Sequence, residues 1–353
     1  MTKSMKDYFM CKLFFLIMVV LFGIISKVDA DEIHGVYGFS RELFKGKNPV
    51  QIVQELKEWG VNAVFINKSD FDMIEVLRGS GIKVYYELSC FVGEKYWQRY
   101  PASHPVNRSG RNISKVGWYA GVCPNHPSIR KEKLSELKAL LEDHEIDGVW
   151  FDFIRYPCHW EVKEPYFEQT CFCRNCMLIF QKALGISDPS PDDILIHYRK
   201  QWVAWKCNRI SDFMRHVRKI VDEERPGTLV GLFGVPWRND EFDNAIESVI
   251  GQKYEDLANY VDIFSPMLYH RMCGKEVTWI HDYVKYLRDK TAKKIIPIVQ
   301  TSDKDDMMDA NEFRRVLQTA LTKPSSGVIM LELRNILEKN RQSILREVDY
   351  NGN

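Results

Sequence analysis

The segment Gly148-Val149-Trp150-Phe151-Asp152-Phe153-Ile154-Arg155-Tyr156-Pro157 places one carboxylate among large aromatic side chains. Burying a charge there is costly unless partners compensate it, and Arg155, three residues on, is a candidate partner. A carboxylate so placed can attack an anomeric carbon or stabilise positive charge developing on a sugar ring. The plainer alternative is an Asp–Arg pair that ties the end of a strand to its neighbour. Glycoside hydrolysis needs a second acid, about 5–5.5 Å away for retention or roughly 6.5–9.5 Å for inversion. Glu332 follows Ile329-Met330-Leu331, Asp240 stands beside Glu241, and Glu87 follows Tyr85-Tyr86. Asp152, Glu332 and Asp240 are the expected catalytic acids. Glu87, Arg155, Tyr269, His270, Trp237 and Tyr37 are the expected substrate contacts. His270 could also assist proton transfer, and Trp237 offers a flat face to a sugar ring. Each has a structural alternative: Glu87 and Glu332 pair with arginines, Asp240 is a solvated acid or helix cap, and His270 and Trp237 are packed core residues.

A second cluster is Cys171-x-Cys173-x-x-Cys176. Three thiols within six residues are crowded for disulfides, because cysteines separated by one residue pair only with strain. They suit tetrahedral zinc, which needs a fourth ligand. Disulfides and reduced thiols are the alternatives. Cys90, Cys207 and Cys273 read as buried or incidental thiols.

The elements that must position these residues alternate regularly. Apolar runs begin near Ile33, Val61, Ile82, Ile146, Thr228, Val261, Ile295 and Gly327, and each is followed by helical spacing. Short, nearly continuous runs such as Ile82-Lys83-Val84-Tyr85-Tyr86 are the pattern of strands buried on both faces of a parallel sheet. Eight strand–helix repeats predict a (β/α)8 TIM barrel with long insertions after strands 3 and 4. In that fold the site lies at the C-terminal ends of the strands, where Asp152, Glu87, Tyr269 and Glu332 fall. One helix is expected over about Asp192 to Glu224. Asp262, at a strand start, reads as structural.

The 353 residues carry 49 Lys plus Arg against 48 Asp plus Glu, with 27% charged and 12% aromatic residues. This balance leaves no basic footprint for nucleic acid. Lys3 and Lys6, the apolar run Leu13 to Ile25 and the closing Val28-Asp29-Ala30 read as a secretory signal peptide over 1–30. Residues 31–353 then form a single barrel domain, exported, with carbohydrate as its partner and no organic cofactor. An uncleaved membrane anchor is the alternative, although the run is short for a span. Export would permit disulfides among the eight cysteines left. No G-x-G-x-x-G follows the first strand, and there is no H-E-x-x-H, G-x-S-x-G or P-loop. Sequons occur at Asn67, Asn107 and Asn112.

The run GVWFDFIRYP resembles the fourth-strand signature of the glycoside hydrolase-like barrel families, roughly DG-aromatic-x-D-aromatic-x-R-aromatic-P. Val261 to His270 resembles their sixth strand, and Trp202 to Val217 the helix after strand four. The resemblance spans most of residues 31–340 and implies a sugar-processing barrel without naming its substrate. Family-18 chitinases carry D-G-x-D-x-D-x-E on this strand. Here Asp147 and Asp152 match the first and third acids, but Trp150 and Ile154 replace the middle Asp and the catalytic Glu. That departure keeps a glycan-binding barrel without hydrolysis as the second reading. The cysteine spacing is similar to the zinc loop of family-42 β-galactosidases. The resemblance implies structural zinc completed by a cysteine from the loop after strand three. Cys123 lies in that loop, with Cys158 as the alternative.

Overall fold

A computed structural model describes residues 32–38, 43–301 and 308–331. In chain order it contains β1 (Ile33–Tyr37), α1 (Pro49–Glu58), β2 (Ala63–Ile66), a 3-10 turn (Lys68–Met73), α2 (Ile74–Gly79), β3 (Lys83–Ser89), α3 (Glu94–Arg99), α4 (Pro127–Asp143) and β4 (Gly148–Asp152). Then follow α5 (Arg174–Leu184), α6 (Pro191–His197), α7 (Arg199–Glu224), β5 (Leu229–Gly234), α8 (Ala245–Ser248), α9 (Tyr254–Leu257) and β6 (Ile263–Leu268). The last are α10 (Trp279–Thr291), β7 (Lys294–Ile295), β8 (Ile298–Gln300), α11 (Ala310–Leu321) and β9 (Gly327–Leu331).

The strands pair in the order β5-β4-β3-β2-β1-β9-β8-β6-β7, and β5 also pairs with β6, which closes the sheet. Every pairing is parallel. β7 and β8 are one stave of the barrel, interrupted at Ile296-Pro297, where proline has no N–H to give the ladder. The result is the closed eight-stave parallel barrel with surrounding helices that the alternation predicts.

Local chemistry starts and stops the elements. Asn48 and Gln51 form a capping box at the start of α1, and Ser190 and Asp193 form another at α6. The long helix expected over Asp192–Glu224 is two. The backbone at Tyr198 leaves helical geometry (φ −122°, ψ 18°), and the indole of Trp202 is packed against Phe172 and Trp205. At the N-terminal end of the barrel Asp147 accepts from the Val84 amide at 2.9 Å and Lys83 at 3.1 Å. Asp262 accepts from the Val230 amide at 2.8 Å and Arg218 at 2.9 Å. Both acids tie adjacent strands together.

The barrel interior explains one departure from the chitinase pattern. Trp150 fills it, packed against Phe65 and Tyr85, with its Nε1 donating to Ser265 Oγ at 2.9 Å. The indole fits because β5 carries Gly231 opposite. A Cβ there would lie 2.1 Å from the Trp150 ring. A middle Asp on β4 would leave this space empty.

Candidate active site

β4 ends at Asp152, whose side chain is 9% exposed. Phe153 then turns into the left-handed region (φ +55°), and its amide donates to Asp152 Oδ1 at 2.6 Å. Burial pushes the Asp152 carboxyl up to about 7, and the charges of Glu87 and Glu161 push the same way. Arg155 and the Phe153 amide oppose them.

A cleft of about 700 Å³ opens above this carboxyl. Its walls are strand ends: Tyr37 of β1, Ser89 of β3, Phe233 of β5, Met267 of β6 and Leu331 of β9. Tyr269, just past β6, also lines it and stacks on Trp160 with ring centres 5.8 Å apart. Glu87 stands on β3 one inward-facing position below Ser89, whose Oγ donates to Glu87 Oε1 at 2.5 Å. Burial pushes the Glu87 carboxyl up, against the pull of Ser89, Lys133 and Tyr37. Asp152, Tyr37 and Tyr269 therefore line one cleft, with Glu87 beneath its floor.

The other expected residues sit elsewhere. Arg155 is buried and makes no substrate-facing surface. Its Nη1 donates to the Tyr119 hydroxyl and to the Cys158 carbonyl, both at 3.0 Å. His270 does not line the cleft; its Nε2 lies 3.0 Å from Glu312 Oε1, and Arg271, which does line the cleft, also pairs with Glu312. Burial lowers the His270 pKa. Trp237 is buried against Phe167 and Phe242. Asp240 occupies an exposed turn and is not part of the cleft wall. Glu332 lies outside the described residues, next in sequence to the cleft residue Leu331.

One cleft carboxylate escaped the sequence reading. Glu161 lines the cleft from the excursion after β4 and raises the pKa of both Asp152 and Tyr269. Irregular chain has no hydrophobic period to show which way a side chain points. The only hint was the aromatic neighbourhood His159-Trp160.

The four cysteines Cys123, Cys171, Cys173 and Cys176 form a buried cluster whose sulfurs all lie within 4.8 Å of one another. Cys123 Sγ is 3.8 Å from Cys173 Sγ and 3.4 Å from Cys176 Sγ. A tetrahedral ion with sulfur at about 2.3 Å has edges of roughly 3.8 Å, so the donor set fits a metal ion. Cys158 is not in the cluster; its thiol contacts the Tyr166 carbonyl at 3.9 Å. Cys123 belongs to the excursion after β3 and the others to that after β4. The two excursions also meet where the Phe172 amide donates to the Val106 carbonyl at 2.8 Å.

Residues 141–318, half of the chain, match the family described as "Putative glycosyl hydrolase domain". The chain belongs to that family. No curated protein matches the sequence. Among solved structures, the PgaB (BpsB) glycoside hydrolase domain from Bordetella bronchiseptica superposes with a TM-score of 0.67 at 16% identity, covering 90% of this chain and 98% of that one. The β-galactosidase from Marinomonas ef1 gives 0.66 at 11% identity, over 89% of this chain and 59% of that one. A GH42 β-galactosidase from G. stearothermophilus gives 0.63 at 13%, over 92% and 56%. This family member thus spans a little over half of those β-galactosidases and shares their barrel.

Proposed function

We propose that the protein is an exported glycoside hydrolase that cleaves an oligo- or polysaccharide with a carboxylate pair including Asp152. The observation that carries this reading is the placement of Asp152: a buried carboxyl at a strand end that opens into a cleft of about 700 Å³, where burial pushes its pKa up to about 7. Such a group is largely protonated at mildly acidic pH and is suited to general acid catalysis. Asp152 gives its proton to the glycosidic oxygen as the bond to the anomeric carbon breaks. Water supplies the hydroxyl to that carbon, and its remaining proton restores the acid. The second carboxylate is Glu161 in the same cleft, or Glu332 following Leu331, and Glu87 keeps Asp152 protonated from below. Tyr37 and Tyr269 contact the sugar.

Residues 1–30 serve as the export signal. Cys123, Cys171, Cys173 and Cys176 hold a structural zinc ion, which clamps the two excursions beside the cleft and takes no part in the reaction. The second reading, a barrel that binds glycans without cleaving them, draws support from Ile154. It stands where chitinases carry their catalytic Glu and is fully buried.

Release of reducing ends from a glycan panel by wild type and Asp152→Asn tests the proposal. Hydrolysis by wild type that falls about 10³-fold or more in the variant supports it. Tight binding of a glycan by both proteins with cleavage by neither would replace it with the binding reading.

A further inference from the structure

Trp118 has no place in the chemistry above, yet it is 58% exposed and lines the same cleft as Asp152. Its presentation is built. Val116 and Tyr119 exchange both backbone hydrogen bonds, at 3.0 and 2.9 Å, closing a two-residue turn whose first central residue is Gly117 at φ +56°. A side chain at that φ would be strained, so glycine permits the turn that lifts Trp118. The indole is braced edge-on by Tyr119 at 5.8 Å (85°) and by Phe153 at 5.9 Å (78°). Tyr119 is itself anchored, its hydroxyl accepting from Arg155 Nη1 at 3.0 Å and from the Cys158 amide at 3.1 Å. Phe153 is the residue whose amide holds Asp152. Both neighbours stand nearly perpendicular to the indole, and more than half of Trp118 stays open to solvent. Its rigid mounting removes the entropy that a free side chain would lose on binding.

We propose that Trp118 is a stacking platform for a pyranose ring of the substrate, one sugar removed from the bond broken at Asp152, so that the enzyme recognises a chain rather than a single sugar. This rests on the hydrolase reading. An exposed indole face is apolar and electron-rich and matches the C–H face of a pyranose, whereas a buried aromatic such as Trp237 cannot reach one.

The test uses the full chain with hexasaccharides of β-1,4-linked glucose, xylose, N-acetylglucosamine and galactose. Cleavage is followed in wild type, Trp118→Ala and Trp118→Phe, and binding in the Asp152→Asn background. For a hexasaccharide that wild type cleaves or binds, Trp118→Ala is expected to raise KM or Kd about tenfold with kcat changed less than about twofold. Trp118→Phe should recover most of the loss, and the melting temperature should stay unchanged. Unaltered KM and Kd in Trp118→Ala would overturn the platform while leaving the hydrolase reading intact. So would a loss that Phe does not rescue and that accompanies a lower melting temperature or an altered oligomeric state. If wild type neither cleaves nor binds any of the four, the hydrolase reading falls and the platform with it.

Discussion

The backbone amide of Phe153 donates to the carboxylate of Asp152 at 2.6 Å, one residue after the strand has ended. The hydrogen bond exists because Phe153 takes a left-handed backbone conformation, uncommon for a bulky side chain, at φ +55°. It turns the chain out of the barrel while keeping Asp152 aimed at the cleft. It also favours the charged form that burial opposes.

The Asp152 pKa of about 7 lies above the usual 3.8, so its sign is that of a destabilising ionisation. Stability from this group is fully present below about pH 4 and is lost as pH rises through about 7. Asp152→Asn removes the ionisation. Denaturant unfolding should show the variant gaining on wild type between pH 4 and 8, by up to about 4 kcal/mol. Equal gaps at the two ends of that range would refute it.

On the proposed hydrolase reading, the same group sets the alkaline limb of activity. As a general acid, Asp152 loses its proton above about pH 7, so kcat/KM should decline there. Glu87 raises that pKa through its charge. Glu87→Gln should therefore move the limb to lower pH, read from the pH profile of kcat/KM, whereas a shift upward would contradict the electrostatics.

Tyr119 is the peg that holds Arg155. Tyr119→Phe leaves Arg155 Nη1 with the Cys158 carbonyl alone and strips the partner from the Cys158 amide. Buried donors without acceptors cost about 1–3 kcal/mol, which chemical denaturation should register. An unchanged midpoint would mean that solvent or a rearranged loop satisfies both donors.

Gly231→Ala should be more damaging than most glycine replacements. Its Cβ would meet the Trp150 ring at 2.1 Å, and Trp150 is fully enclosed by the barrel. Overpacking at this point should cost about 3 kcal/mol, measured as a lower denaturation midpoint. Asp240→Ala, in an exposed turn away from the cleft, should leave both activity and stability unchanged.

The cysteine cluster predicts bound zinc, about one ion per chain by elemental analysis. Cys171→Ser should lose the ion and lower the melting temperature, because the excursions after β3 and β4 lose their joint. Protein purified without metal, and with a melting temperature indifferent to chelators, would remove zinc from the picture.

Much of the barrel was legible in the sequence because its determinants are local and periodic. Buried parallel strands read as short apolar runs, and the main helices between them as stretches of helical spacing, although the one helix expected over Asp192–Glu224 is two. That Asp152 lies near the C-terminal end of the fourth strand followed directly, and the crowding of three thiols pointed to a tetrahedral site in need of a fourth donor. The tertiary structure alone decided which distant residues meet. It brought Cys123 rather than Cys158 to the cluster, buried Arg155 against Tyr119, turned His270 to Glu312, and carried Glu161 and Trp118 to the cleft on irregular chain. Those choices depend on where two long excursions come to rest. Their path is set by contacts between residues far apart in sequence, and a side chain without a repeating period carries no record of its direction.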